Sequence, residues 1–257
     1  MCELYAVSSQ EPVVLNDTLK LFYQHSVRHP HGWGLAHWES AQAIIYREQR
    51  SALDSEFLKR LLEQPIFSKV ALAHIRFATV GAIGFENCHP FTRIDSYGRE
   101  WTLIHNGTIF SGIHLIPYEE KQKGRTDSER VLLYLLDCME QAAQEKGAPL
   151  NVRERSKVME QVVKDLSPRN KLNLLLYDSE QLYVHTNMKD TLFHAQQGET
   201  CFFVTAPLEN DFAWKCLPLN TLQTYQNGAL TYTGTPHSHE FISAGSIGFQ
   251  DIGDFEI

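Results

Sequence analysis

No run in this chain approaches the ~18 consecutive apolar residues of a membrane span, and no apolar leader segment follows Met1. Both absences argue against a membrane or exported protein. Blocks of like charge are missing too: 23 Lys and Arg against 31 Asp and Glu leave a formal charge of −8 spread along the sequence. Such a chain offers no electrostatic footprint for nucleic acid or an anionic lipid surface. Cysteine is sparse and odd in number, five in all. Without framework spacing this fits a reducing cytoplasm better than secretion. Twelve histidines are present, yet no His-Glu-x-x-His, Cys-x-x-Cys or comparable ligand spacing occurs, so no metal is expected. The pairs His29/His31 and His237/His239 read as solvated. Gly-x-Gly-x-x-Gly after a strand, the phosphate-binding Gly-x-x-x-x-Gly-Lys and Gly-x-Ser-x-Gly are all absent, which excludes the familiar nucleotide sites and a serine-hydrolase elbow. Linkers, repeats and low-complexity segments are lacking as well, so residues 1–257 read as one domain. A chain of this length can bury roughly 70–75% of its unfolded surface without disulfides or metal.

What is present is patterned. Glu3-Leu4-Tyr5-Ala6-Val7 reads as an opening strand that fixes Cys2 at a sheet edge. Asn16 is placed to cap a first helix carrying Leu19, Leu21, Phe22 and Val27. Strands follow over Gly34–Trp38 and Ala43–Tyr46, then a helix over Asp54–Glu63 and an apolar strand over Lys69–Phe77. Gly81 and Gly84 begin a long loop past His89-Pro90, which leads to a strand at Trp101–His105. Val131, Leu132, Leu135, Leu136 and Met139 mark one face of a helix after Asp127, and a second helix spans about Val152–Leu166. The last third is strands: Lys171–Tyr177, Gln181–His185, Cys201–Thr205, Leu222–Tyr225 and Leu230–Thr233, the final pair joined by the hairpin signal Asn227-Gly228. Strands, a helical pair and strands again imply an α+β fold of sheets covered by helices.

Candidate chemistry begins at Cys2. Removal of Met1 would leave a cysteine carrying both a thiol and a free α-amine, the amine serving as the thiol's own base. His74-Ile75-Arg76-Phe77-Ala78-Thr79 puts an arginine at the end of an apolar strand, either as a surface ion pair or as a bidentate clamp for a carboxylate. His105-Asn106-Gly107 reads either as a tight hairpin or as a side-chain amide and an unhindered backbone N–H aimed at one oxyanion. Thr126-Asp127-Ser128-Glu129 reads as a capping box, and Asp127 could bind an ammonium without displacing Thr126 from the cap. The glycines of His31-Gly32-Trp33-Gly34 allow close backbone approach, or mark a turn with Trp33 as core filler. Cys88, Cys138, Cys201 and Cys216 read as packing residues.

Taken together, Met1-Cys2-Glu3-Leu4, His-x-Arg-Phe-Ala-Thr, Asn87-Cys88-His89-Pro90-Phe91, His105-Asn106-Gly107 and Thr126-Asp127-Ser128-Glu129 resemble the class-II glutamine amidotransferases, a branch of the N-terminal-nucleophile hydrolases. The likeness is greatest to the stand-alone YafJ-type group. It extends to the γ-glutamyl hydrolases of ergothioneine synthesis and glutathione degradation through Gly32-Trp33-Gly34, Ala78-Thr79-Val80-Gly81, Ala206-Pro207-Leu208, Trp214 and Leu217-Pro218. The resemblance implies a four-layer αββα sandwich of two mainly antiparallel sheets. It implies attack by Cys2 on the γ-carbonyl of glutamine or a γ-glutamyl compound, with Asn106 and Gly107 as oxyanion hole. Arg76 would hold the substrate α-carboxylate and Asp127 its α-ammonium, with His89 bordering the pocket and Trp33 and Gly34 approaching the nucleophile. No cofactor is implied. A separate synthase subunit that takes the ammonia is the alternative to free-standing hydrolysis, as is a catalytically silent scaffold. The pattern departs at His31, where relatives often carry an acidic residue, and at Thr108, where Asn is usual.

Overall fold

A computed structural model of the chain describes residues 2–39, 42–78 and 83–243. Met1 and the Thr79-Val80-Gly81 part of the motif noted above lie outside the described residues. Seven strands form one sheet, in the order β11 (Lys215–Cys216), β9 (Phe193–Gln197), β10 (Thr200–Val204), β1 (Glu3–Val14), β4 (Phe67–Ile75), β2 (Trp33–Trp38) and β3 (Ala43–Glu48). Six form the other: β13 (Ala229–Thr233), β12 (Gln223–Gln226), β8 (Leu182–His185), β7 (Lys171–Tyr177), β6 (Glu100–Thr108) and β5 (Phe91–Ile94). Neighbouring strands in both sheets pair antiparallel.

The layering follows from strand alternation, since successive side chains point to opposite faces. Tyr5 and Val7 of β1 pack with Leu19 and Phe22 of α1 (Asn16–Gln24) and Leu58 of α2 (Glu56–Leu61). Leu4 and Ala6 face the other way and meet Ile104, Leu175 and Val184 of the second sheet. On the far side, Leu172, Leu174 and Leu176 of β7 pack with Val131 and Leu135 of α3 (Asp127–Lys146) and Val162 of α4 (Val152–Leu166). Three apolar clusters thus fill the three gaps of an αββα sandwich. Each fully buried Leu or Phe in them contributes about 1.5–3 kcal/mol relative to exposure, so polar side chains on the inner faces are costly exceptions.

Several local expectations change. Asn16 does not cap α1: its side chain donates to the carbonyls of Leu62 and Gln64 and accepts from the Ile66 N–H, tying the start of α1 to the connection between α2 and β4. Val27 lies beyond that helix in a 3-10 turn and is exposed. The second helix is shorter than Asp54–Glu63, because Ala52–Asp54 form a separate 3-10 turn and Ser55 caps Glu56–Leu61 by accepting from the Leu58 N–H. Thr126 caps α3 through the Glu129 N–H, but Glu129 does not reach back. Its carboxylate accepts from the N–H groups of Lys123 and Gly124 and pairs with Arg93 at 2.5 Å, so half of the capping box holds the preceding loop instead. Asn227 and Gly228 both take positive φ, 51° and 76°, and turn β12 into β13 as a tight hairpin. The histidine pairs divide: His29 is buried beside Glu3 and His237 lies 3.0 Å from the ring of His185, while His239 is exposed, as read from the sequence. Cys216 is exposed rather than packed. Among the described residues no helix is long and apolar enough to cross a membrane, and no group of three or more metal-ligating side chains occurs.

Candidate active site

The inner faces turn polar at one end of the sandwich. Cys2, immediately ahead of β1, continues the inward parity of Leu4 and Ala6. His74 shares the inward side of Val70 and Leu72 on β4, Asn106 that of Ile104 on β6, and Lys171 and Asn173 that of Leu175 on β7. Registers bring these positions to a common level. Glu3 lies opposite Ile75, Asn106 opposite Asn173, and Thr108 opposite Lys171.

A cleft of about 40 Å³ opens there, lined by Cys2, Arg76, Phe77, His89, Gly107 and Asp127 with Ala78, His105, Thr108, Thr126 and Ser128. The volume matches a few water molecules, so the cleft suits the narrow reacting end of a substrate. Larger clefts exist elsewhere, including one of about 510 Å³ beside Tyr97 and Arg155, but no cysteine lines that one. The Cys2 thiol donates to the Phe77 carbonyl at 3.5 Å and accepts from the Phe77 N–H at 3.4 Å, which fixes its direction. Asp127 starts α3; its carboxylate accepts the Ile109 N–H at 2.8 Å and the Ser128 N–H at 2.9 Å, leaving lone pairs for a cation. Asn106-Gly107 is no hairpin but lies inside β6. A Cβ at Gly107 would stand 2.0 Å from the Lys171 carbonyl and 2.3 Å from His105 Nε2, so only glycine lets the backbone pass there.

Burial raises the Cys2 pKa, opposed by the Phe77 backbone hydrogen bond and by Arg76, and reinforced by Asp127. The resting group is therefore a thiol, and attack requires a base that takes the proton as the bond forms. The nearby imidazoles are held neutral. Burial lowers His74 to about 3, with Arg76 and His105 adding to the effect. Burial also lowers His89 well below the ordinary imidazole range, helped by His74, His105 and Arg76. The His89 ring stacks on His74 at 4.1 Å between centroids and meets Phe91 edge-on. Neither of its ring nitrogens has a hydrogen-bond partner among the described residues. His105 is lowered by burial and opposed by Asp127, and its Nδ1 lies 3.0 Å from Ser128 Oγ.

The structure gathers five of the eight anticipated site residues around the cleft: Cys2, Arg76, His89, Gly107 and Asp127. Asn106 sits between two cleft residues with its side chain buried toward Lys171. Trp33 departs from its anticipated role. Its ring is wholly buried in the cluster under α1 and α2, its Nε1 donating to Glu48, because residue 33 has the outward parity of β2. Gly34 acts at one remove: a Cβ there would stand 2.0 Å from the His89 carbonyl, so it admits the His89-Pro90 loop. His31 accepts the Ala78 N–H at 2.9 Å and packs on Phe77, bracing the cleft wall. Lys171, His105 and Ser128 gained no site role from the sequence, although the last two stand in motifs read there. Lys171 carried one legible signal, a lysine on the inward parity of a mostly apolar strand.

Comparison with known proteins bears on the fold and the family. The sequence model of the class-II glutamine amidotransferases matches residues 1–200. The YafJ protein of Escherichia coli K12, named for a glutamine amidotransferase, is 28% identical over 236 residues, covering 90% of this chain and 91% of its own. Among solved structures, the glutamine phosphoribosylpyrophosphate amidotransferase of Bacillus subtilis superposes with a TM-score of 0.66 at 15% identity, over 90% of this chain and 48% of that one. A glutamine amidotransferase structure from Pseudomonas aeruginosa gives a TM-score of 0.62 at 20% identity, over 90% of this chain and all of that one. The two structures share the fold, and the family model spans more than half of the sequence: the chain belongs to the class-II glutamine amidotransferases.

Proposed function

We propose that the protein hydrolyses the γ-amide of glutamine or of a γ-glutamyl amine through a thioester on Cys2. The observation that carries this reading is a directed thiol in a cleft that is lined, among the described residues, by one arginine, Arg76, and one carboxylate, Asp127. Those two charges complement the carboxylate and ammonium of an amino-acid head, so the substrate would be held as a zwitterion with its γ-carbonyl at the thiol. With Met1 removed, the Cys2 α-amine takes the thiol proton as Sγ bonds to the carbon of the γ-carbonyl group. The carbonyl electron pair moves onto oxygen, which accepts hydrogen bonds from the Asn106 side-chain amide and the Gly107 N–H. Collapse restores C=O and breaks the C–N bond, and the leaving nitrogen takes the proton. Water then attacks the thioester by the same route, releasing glutamate and the thiol.

A second reading, ammonia supply to a separate synthase, is favoured by relatives whose chains extend well beyond the match. The amidophosphoribosyltransferase of Methanocaldococcus jannaschii aligns over only 29% of its length. The test is intact-mass analysis before and after a γ-diazoketone analogue of glutamine, paired with glutamate release from glutamine and γ-glutamyl amines. A chain starting at Cys2 with one adduct on that residue, turnover, and loss of both in Cys2→Ser are expected. Adduct without turnover favours the partner reading. A processed chain with neither adduct nor turnover defeats the hydrolase reading.

A further inference from the structure

Lys171 opens β7 on the inward face and is only 3% exposed. Lysine is almost never buried so deeply without a purpose for its charge. Its Nζ lies 3.5 Å from Asn106 Oδ1, a long contact between two buried side chains at the level of Cys2. An ammonium has three donors and no acceptor, so it selects the oxygen end of the Asn106 amide. The direct cross-strand neighbour cannot perform this task. Asn173 donates to Thr191 Oγ1 at 3.0 Å and accepts from Thr186 at 2.7 Å, so its own amide is committed elsewhere. Burial pulls the Lys171 pKa down to about 8, and the adjacent Cys2 acts in the opposite sense. At neutral pH the group is therefore mainly the ammonium that only donates.

We propose that Lys171 is a positioning residue for the oxyanion site: by donating to Asn106 Oδ1 it locks the side-chain amide with Nδ2 free for the oxygen of the tetrahedral intermediate. This rests on the hydrolase reading above. An amide held at its oxygen is also polarised, which makes its N–H groups stronger donors. The contribution grows as charge develops on the substrate oxygen, so it belongs to the transition state and not to ground-state binding. No covalent step passes through Lys171. It holds the amide that donates to the substrate oxygen on which the electron pair settles when the Cys2 Sγ–carbon bond forms.

The test compares kcat and KM for glutamate release in the wild type, Lys171→Met, Lys171→Arg, Asn106→Ala and the Asn106→Ala/Lys171→Met double variant, with thermal midpoints recorded for each. Lys171→Met is expected to lower kcat by about 10–100-fold with KM within about twofold, somewhat less than the loss of an oxyanion donor itself. In the Asn106→Ala background the same change should cost less than about threefold, because both act through one hydrogen bond. Lys171→Arg keeps a buried cationic donor and should recover most of the rate, which serves if Lys171→Met does not fold. The inference is overturned if folded Lys171→Met keeps wild-type kcat, if folded Lys171→Arg is as slow as Asn106→Ala, or if the losses multiply in the double variant. Each of those results leaves the hydrolase reading intact. A wild type inert on every γ-glutamyl amide overturns both.

Discussion

The two ends of β7 show how one sandwich uses buried charge in opposite ways. They stand about 20 Å apart along the strand. Beyond Tyr177, Asp178 is wholly buried against Arg155 of α4, with Nε to carboxylate at 2.6 Å. Tyr183 and the backbone N–H groups of Glu180 and Gln181 also donate to that carboxylate, while Arg155 donates to Glu180 and the Leu150 carbonyl. Donors and acceptors there answer one another, and the network ties α4 to the β7–β8 turn. At the other end Lys171, Asn106, His74 and His89 crowd around Cys2. The His89 ring nitrogens find no partner among the described residues, and burial holds the imidazoles neutral. A satisfied network spends its polar groups on the fold; one left partly open keeps them for a ligand.

Variants at the two ends should therefore fail differently. Arg155→Met is expected to show a large effect on stability, about 3–5 kcal/mol, because it takes the hydrogen-bonded cation from the buried Asp178 carboxylate and leaves only Arg99 at 4.0 Å. Chemical denaturation measures it, and the activity of the folded fraction should hold. A cost under about 1 kcal/mol would mean that the far end is not the structural anchor. Asn106→Ala should invert the pattern: kcat falls by about 10²–10³, equivalent to about 2.7–4 kcal/mol, with a small change in thermal midpoint. A variant that mainly unfolds would place Asn106 with the anchor instead. Counted per ring and per pH unit, the response to acid is the smallest effect. Burial, with His237 adding to it, lowers His185 to about 3, as burial with Arg76 lowers His74. Unfolding frees both rings to take up protons at the ordinary value of 6.5. Their stabilising contribution is thus fully present above pH 6.5 and is lost as the pH falls from there toward 3. The slope is about 1.4 kcal/mol per pH unit for each ring. Denaturation midpoints that stay flat between pH 6.5 and 4.5 would contradict this.

Legibility in the sequence was uneven for physical reasons. The Val152–Leu166 helix and the Lys171–Tyr177 strand match the structure to the residue, because amphipathic period and strand alternation are local properties. Asn16 misled because a side chain able to cap a helix is equally able to bridge loops, and its partners Leu62, Gln64 and Ile66 are distant in sequence. Asn106-Gly107 resembled a turn since the same dipeptide serves tight hairpins. Here the glycine answers a backbone contact with Lys171 that no local rule contains. Trp33 was misplaced for want of a face: the residue is next to Gly34 in the chain but points away from the site.

By itself the sequence determined the composition of the cleft, since Cys2, Arg76, His89, Gly107 and Asp127 stand in motifs that can be read in order, and it determined the alternation that makes four layers. Only the tertiary structure decided which inward positions meet. Strand register sets Lys171 across from Thr108 and within reach of Asn106, and Trp33 falls on the outer face of its sheet. Side-chain period is a property of neighbours along the chain. Register is settled by how distant strands pair and pack, which here brings residues 65 positions apart into contact across β6 and β7.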